Sequence, residues 1–177
     1  MRIIGGKYKG RVLHSPKGLP VRPTTDRTKE ALFNILNNLL VWEETAVLDL
    51  FSGTGNISLE CWSRGADKVV SVDRHPRCIQ SIRQSMKALG IEEAVVIKRD
   101  VGKFLKQSPE AFGLVFMDPP YALDQQEAFA QTIQSQGWLR PDGLLVAEHS
   151  THRDYSGLPG HEFSRVYGSS TLSFFRP

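Results

Sequence analysis

Short apolar stretches alternate with helix-like stretches from Ala46 onwards, and this alternation constrains the fold more than any other feature. The strand-like stretches are AVLDLF, KVVSVD, AVVIKRD, GLVFMD and GLLVAEHS. The helix-like stretches between them are GNISLECWSRG, HPRCIQSIRQSMKALG, VGKFLKQS and LDQQEAFAQTIQSQG. Because the strand-like runs are continuously apolar, both faces of each strand are expected to be buried. The pattern predicts an α/β fold with a largely parallel sheet covered by helices on both faces.

The two ends of the chain add smaller elements. Residues 1–21 predict a basic hairpin, and residues 22–40 predict an amphipathic helix that starts at a Thr/Asp capping cluster. After Ser150, EFSRVYGS and TLSFFRP predict two closing strands joined tightly and antiparallel to the rest, for seven strands in the sheet. Residues 46–177 then form the sheet, and the whole chain, residues 1–177, is expected to be one domain.

Charge is distributed unevenly along the chain. Residues 1–30 contain eight basic and two acidic residues, a net charge of +6, whereas the whole chain carries +3. A basic segment on a slightly acidic body predicts a polyanionic partner that approaches from one side. The alternative is a solvated hairpin whose lysines discourage pairing at the sheet edge.

The remaining composition argues against extracellular, membrane and metal-binding classes. Cys61 and Cys78 lie in predicted helices and lack partners at metal-ligand spacing, which indicates a reduced compartment. No apolar run approaches the ~20 residues of a membrane span, and the N-terminus does not resemble a signal peptide. His149 and His152 follow a strand rather than sharing a helix face, so no metal is expected. We expect a soluble, cytoplasmic protein.

A glycine pair follows the first predicted strand. VLDLFSGTGNISLE runs from that strand through Gly53 and Gly55 into a helix, which lets the backbone approach a ligand closely. Asp73 ends the next strand, 20 residues after Gly53. This spacing is typical of a carboxylate that binds the ribose hydroxyls of a nucleotide-like ligand.

Two details favour S-adenosylmethionine over a dinucleotide. Ser58 stands where the third glycine of the dinucleotide motif would fall, and Asp49, just before the loop, would repel phosphate but accept a cation. Asp100 follows the third strand, where it could bind the adenine amine. The alternative for Asp49 and Asp73 is that they only cap the helices that follow.

The stretch FMDPPYAL follows the fourth strand of the predicted sheet. Two prolines fix the backbone between Asp118 and Tyr121, so the carboxylate and the ring are held in fixed relative orientation. Asp118 and the Pro119 carbonyl could each accept one N–H of an exocyclic amine, while Tyr121 stacks on the base. The alternative is that the stretch is only a rigid turn.

These motifs together resemble a known family. DLFSGTGNISLE, VDRH and DPPY are similar to the class I S-adenosylmethionine-dependent N-methyltransferases. RIIGGKYKGRVL, RPTTDRTKEALFNIL and YGSSTLSFFR extend the resemblance to the bacterial small-subunit ribosomal RNA guanine-N2-methyltransferases, over almost the whole chain. The resemblance implies a Rossmann-like methyltransferase fold. It also implies a basic N-terminal hairpin and helix that precede the catalytic sheet.

The resemblance also implies roles for particular residues. Those expected around the cofactor are Asp49, Phe51, Gly53, Gly55, Asp73, Asp100, Val101 and Asp118. Those expected to act on the target amine are Asp118, Pro119, Pro120 and Tyr121. Those expected to contact RNA are Lys7, Lys9, Arg11, Arg22, Arg27 and Lys29. Thr24 and Asp26 either close over the cofactor site or cap the helix.

The sequence therefore predicts an enzyme that methylates the N2 amine of a specific guanine in 16S ribosomal RNA, using S-adenosylmethionine. The partner is that RNA or the assembling small subunit, and the enzyme is expected to be a monomer. The alternative is an N6-adenine or N4-cytosine DNA methyltransferase, because DPPY alone does not distinguish these DNA enzymes from the RNA enzyme. A chain of 177 residues leaves little room for the separate target-recognition domain that such DNA enzymes use.

Overall fold

The structure, a computed structural model, describes residues 1–13 and 26–177. Its helices alternate with strands as the sequence pattern predicts. The helices are α1 (Asp26–Leu39), α2 (Asn56–Ser63), α3 (Pro76–Leu89), α4 (Val101–Phe104) and α5 (Gln126–Ser135). The strands are β1 (Ala46–Leu50), β2 (Lys68–Asp73), β3 (Val95–Lys98), β4 (Phe112–Met117), β5 (Leu139–Ser150), β6 (His161–Tyr167) and β7 (Ser170–Phe175).

All seven strands form one sheet in the order β3-β2-β1-β4-β5-β7-β6. The first five strands are parallel, with Leu48 opposite both Val70 of β2 and Val115 of β4. β7 enters between β5 and β6 and is antiparallel to both. The expectation that both closing strands oppose the rest is therefore wrong for β6, because two antiparallel pairings in succession restore the original direction.

Helices cover both faces of the sheet. On one face, Leu32, Phe33 and Leu36 of α1 pack with Ile57 and Cys61 of α2 against β1, β4, β5 and β7. On the other face, α4 and α5 pack against the alternate residues of the same strands. The β1–β5 strands therefore bury both faces, which explains their continuous apolar sequence.

The N-terminal residues form a small antiparallel unit on top of α2 and α3. Arg2 pairs with Val12, and Ile3 and Leu13 are buried against residues of these two helices. The Ile4 amide also donates to Glu60 Oε2 at 3.0 Å. These contacts hold residues 1–13 against the domain. Residues 1–13 are called the basic segment below.

None of the helices in residues 1–13 and 26–177 is long and apolar enough to cross a membrane.

Candidate active site

A large cavity opens at the carboxyl ends of the parallel strands. Its volume is about 1240 Å³, and residues from the loops after β1, β2, β3 and β4 line it. The strand order reverses between β1 and β4, so the cavity lies at the switch point where ligands bind in sheets of this kind.

The loop after β1, residues 51–55, approaches the cavity with its backbone and is called the glycine loop below. Phe51 has a φ of 59°, and it is the only residue other than glycine with positive φ among those that the structure describes. Gly55 precedes α2 with a φ of 84°, and a Cβ placed there would lie 2.8 Å from Ile82 Cγ1. Glycine is therefore required at position 55 by both conformation and space.

Asp73 holds the glycine loop in place from the end of β2. Its Oδ2 accepts from the Gly53 amide at 2.9 Å, and its Oδ1 accepts from the His75 amide at 2.7 Å. The N-cap of α3 is His75 rather than Asp73. Asp73 therefore does more than cap a helix, because it joins two loops at the cavity wall.

Asp49 lies beneath the glycine loop and is only 1% exposed. Its carboxylate accepts from both the amide and the hydroxyl of Ser58 in the first turn of α2, and that hydroxyl also contacts Ser71 at 2.7 Å. The capping alternative is thus observed for Asp49, although the residue also lines the cavity. Burial raises the pKa of Asp49 to about 7, against the lowering effect of the Ser58 bonds.

The far end of the cavity lies after β3. Asp100 is exposed, lines the cavity and caps α4 by accepting from the Lys103 amide at 3.1 Å. Val101 beside it is buried. Phe51 and Phe129 lie with ring centroids 5.9 Å apart and provide an apolar surface between Asp100 and the glycine loop.

Residues 118–121, called the DPPY turn below, follow β4 at the centre of the cavity. Asp118 is half-buried and Pro119 is buried. The Tyr121 hydroxyl lies 2.6 Å from Ser170 Oγ, which tethers the ring to β7. The DPPY turn is therefore anchored on β7, the last strand of the chain.

A buried glutamine fixes the carbonyl groups of the DPPY turn. Gln126 Nε2 donates to the Pro120 carbonyl at 2.9 Å and to the Tyr121 carbonyl at 3.2 Å. Gln126 Oε1 accepts from the Tyr155 hydroxyl at 3.0 Å. Burial raises the pKa of Tyr155 to about 12, so this hydroxyl keeps its proton.

The cavity is also lined by α1, β5 and the turn between β6 and β7. Thr28 and Ala31 of α1, Glu148 of β5 and Tyr167 of β6 all line the cavity. Because β4 lies between β1 and β5 in the sheet, the DPPY turn separates the lining residues that follow β1 to β3 from those of β5 to β7.

The residues expected to contact RNA differ in their surroundings. Lys7, Lys9, Arg11 and Arg27 are exposed, and Arg27 lines the cavity. Arg22 and Thr24 lie outside the described residues. Asp26 begins α1 and lies 3.5 Å from Arg2 in an exposed ion pair.

Lys29 corrects one expectation. Its side chain is 1% exposed, and its Nζ lies 3.2 Å from Glu60 Oε2 and 2.6 Å from the Arg2 carbonyl. Burial lowers the pKa of Lys29, although Glu60 opposes that shift. The expectation that Lys29 contacts RNA is wrong, because its ammonium group is enclosed by the protein and joins α1 to the basic segment.

Sequence reasoning missed several residues of the site. Glu148 had a signal, since it is a charged residue inside an otherwise apolar strand. Gln126, Tyr155 and Ser170 had none, because their contacts with the DPPY turn depend on tertiary packing. Across the part of the chain that the structure describes, no group of His, Cys, Asp and Glu could hold a metal ion.

The strand order and the position of the cavity define the class I S-adenosylmethionine-dependent methyltransferase fold. The RNA methyltransferase from Salinibacter ruber, in complex with S-adenosyl-L-homocysteine, has this fold. It is 16% identical to the chain, with a TM-score of 0.68 over 88% of this chain and 93% of that one.

A family profile described as Conserved hypothetical protein 95 matches residues 1–176. The chain therefore belongs to that family. Ribosomal RNA small subunit methyltransferase D of Escherichia coli (strain K12) is 33% identical over 159 residues, which cover 90% of this chain and 78% of that protein. A hypothetical protein of Thermus thermophilus, TTHA0928, is 31% identical, with a TM-score of 0.87 over 100% of this chain and 99% of that one.

Proposed function

We propose that this protein transfers a methyl group from S-adenosylmethionine to the N2 amine of a guanine in 16S ribosomal RNA. The observation that carries the proposal is that one cavity contains both the glycine loop with Asp73 and the DPPY turn. A site for a nucleoside cofactor and a turn suited to an exocyclic amine thus lie side by side.

The first part of the cavity fits S-adenosylmethionine. Asp73 and Asp100 provide carboxylates for ribose hydroxyls and an adenine amine, and the rings of Phe51 and Phe129 provide apolar contact for the base. The Ser58 hydroxyl donates to the buried Asp49, so a carboxyl group rather than a phosphate site lies behind the loop. When bound, S-adenosylmethionine supplies the methyl group.

The DPPY turn acts on the amine. The lone pair of a guanine amine is delocalised into the ring, so the nitrogen is a poor nucleophile until it is correctly oriented. Asp118 and the Pro119 carbonyl each accept one N–H, which directs the lone pair away from the ring plane. The carboxylate also stabilises the positive charge that develops on the nitrogen.

Ribosomal RNA as the substrate is supported by the E. coli relative, whose name describes a small-subunit ribosomal RNA methyltransferase. The exposed Lys7, Lys9 and Arg11 suit a phosphate backbone. A buried base in folded RNA must be swung out before it reaches the cavity, as in other enzymes that modify bases.

Mass mapping of methylguanine in 16S RNA tests the proposal and identifies the guanine. RNA from a strain that lacks the gene should carry one N2-methylguanine fewer than RNA from the parental strain. Purified protein with labelled S-adenosylmethionine should restore that methyl group on the RNA or on the assembling subunit.

Asp118→Ala should reduce the single-turnover rate of this transfer by ~10² or more, as for the loss of one preorganised electrostatic contact. Asp118→Asn keeps an acceptor oxygen and separates orientation from charge. Asp124→Asn is the matched control, because Asp124 is fully exposed six residues further on. Transfer at the parental rate in Asp118→Ala would show that the DPPY turn is only a turn.

A further inference from the structure

Glu148 is a buried carboxylate in the part of the cavity that the cofactor residues do not occupy. It is 5% exposed, lines the cavity and follows the four apolar residues 144–147 of β5. Charged residues are seldom buried in proteins unless they are paired. Because Glu148 lines the cavity, its carboxylate is in a position to pair with hydrogen-bond donors of a substrate.

The strand register places Glu148 beside Asp118. β4 and β5 are parallel, and Met117 lies opposite Ala147, so the next residues along the two strands are Asp118 and Glu148. Adjacent strands lie ~4.8 Å apart. The two carboxylates therefore occupy neighbouring positions at the same edge of the sheet.

The two side chains also share a face. Phe116 and Val146, two residues earlier on each strand, pack with Leu32 and Leu36 of α1 on one side of the sheet. Side chains two residues apart in a strand point to the same side. Asp118 and Glu148 thus both face the part of the cavity that Thr28 and Ala31 of α1 close.

We infer that Glu148 accepts a hydrogen bond from N1–H of the target guanine and so selects guanine over other bases. The inference rests on the function proposed above. An ionised carboxylate only accepts hydrogen bonds. Two of them side by side match a base edge that presents adjacent donors, and the Watson–Crick edge of guanine presents N1–H next to the N2 amine.

The same pair disfavours the other bases that carry an amine. Adenine places the acceptor N1 beside its N6 amine, and cytosine places the acceptor N3 beside its N4 amine. Either acceptor would face the Glu148 carboxylate, leaving two lone pairs opposed in a buried site. Glu148 therefore separates guanine methylation from the N6-adenine and N4-cytosine reactions, which the DPPY turn alone cannot do.

The test replaces the guanine identified by mass mapping with 2-aminopurine in the RNA or assembling-subunit substrate. This base keeps the 2-amine but lacks O6 and has an acceptor at N1. The parental protein should methylate guanine faster by roughly 100-fold or more, as for sites built to hydrogen-bond a missing donor. In Glu148→Gln the guanine to 2-aminopurine ratio should fall at least about tenfold, because the amide can donate to the N1 acceptor.

The intrinsic reactivities of the two amines are the same whichever protein acts on them. Comparing the ratio between the parental protein and Glu148→Gln therefore cancels them. Glu162→Gln makes the same chemical change near the start of β6, in an exposed ion pair with Arg176, and should keep the parental ratio. Calorimetry with S-adenosylhomocysteine checks that each variant is folded.

An unchanged ratio in folded Glu148→Gln would overturn the inference. If that variant does not fold, the parental protein alone decides, because equal rates on guanine and 2-aminopurine would also overturn it. Absence of N2-methylguanine from the parental product would instead contradict the proposed function. The two failures are therefore distinguishable.

Discussion

At the scale of single residues, the site depends on carboxylates whose surroundings differ. Asp73 accepts from two backbone amides at the cavity wall, whereas Asp49 is enclosed with Ser58 and Ser71. Burial raises the pKa of Asp49, which favours its neutral form relative to that of an exposed carboxyl group. Asp49 should therefore affect stability in a way that depends on pH.

Asp49→Asn should reveal this dependence. The pKa of Asp49 is about 7 in the folded protein, against ~3.9 in an unfolded chain. Its contribution to stability is thus fully present below about pH 4 and is lost as the pH rises to about 7. Asparagine does not ionise. As the pH rises over that range, the free energy of unfolding of the variant should therefore increase relative to that of the parent by up to ~1.4 kcal/mol per pH unit.

Urea unfolding at several pH values measures that difference. Asp142→Asn, which removes an exposed carboxylate, should show no comparable trend. Parallel pH profiles for Asp49→Asn and the parental protein would contradict the burial argument.

At the scale of elements, the DPPY turn depends on α5 and on the segment after β5. Gln126 begins α5 and donates to two carbonyl groups of the turn, and Tyr155 donates to Gln126. His149 of β5 stacks on Tyr155 with ring centroids 3.9 Å apart. These contacts fix the backbone of the DPPY turn, which carries Asp118.

Gln126→Leu should leave the two carbonyl groups of the turn without their buried donor, at a cost of ~1–3 kcal/mol in the free energy of unfolding. The single-turnover methylation rate at saturating RNA should fall as well, because the turn is no longer held. Tyr155→Phe is the matched control, since it removes only the bond to Gln126 Oε1. It should lower stability while retaining most of the rate, and a rate as low as that of Gln126→Leu would show that the amide bonds do not position the turn.

At the scale of the whole molecule, the basic residues are concentrated near the N-terminus. The net charge of +6 over residues 1–30 contrasts with +3 for the chain. Contacts of Ile4 with Glu60 and of Tyr8 with Ser63 hold the basic segment on α2. Within residues 1–13, the basic residues Arg2, Lys7, Lys9 and Arg11 are therefore held at a defined place on the domain.

Replacing Lys7, Lys9 and Arg11 by glutamine should weaken RNA binding and reduce its salt dependence. Three lost phosphate contacts would lower the slope of log affinity against log salt by roughly 2. Filter binding across a range of salt concentrations measures the slope, and calorimetry with S-adenosylhomocysteine should be unaffected. The control replaces Lys87, Lys98 and Lys106, which are exposed elsewhere. An equal change in both triple variants would favour the solvated-hairpin alternative.

The sequence by itself determined the features that depend on neighbours along the chain. Apolar runs predicted β1 to β5, and Asp49, Asp73, Asp100 and Asp118 were recognised because each lies at or just beyond the end of a strand. Parallel strands bring such ends to one edge of the sheet, so their meeting in a single cavity followed from order along the chain.

Only the tertiary structure decided the contacts between distant segments. The sequence around Lys29 is typical of a surface lysine, but its side chain is buried and pairs with Glu60, 31 residues away. The insertion of β7 between β5 and β6 depends on pairing across the sheet, and it places Ser170 against Tyr121. Glu148 lies beside Asp118 only because β4 and β5 are paired in this register. Burial and partner choice depend on packing between residues far apart in the chain, and a local pattern does not record them.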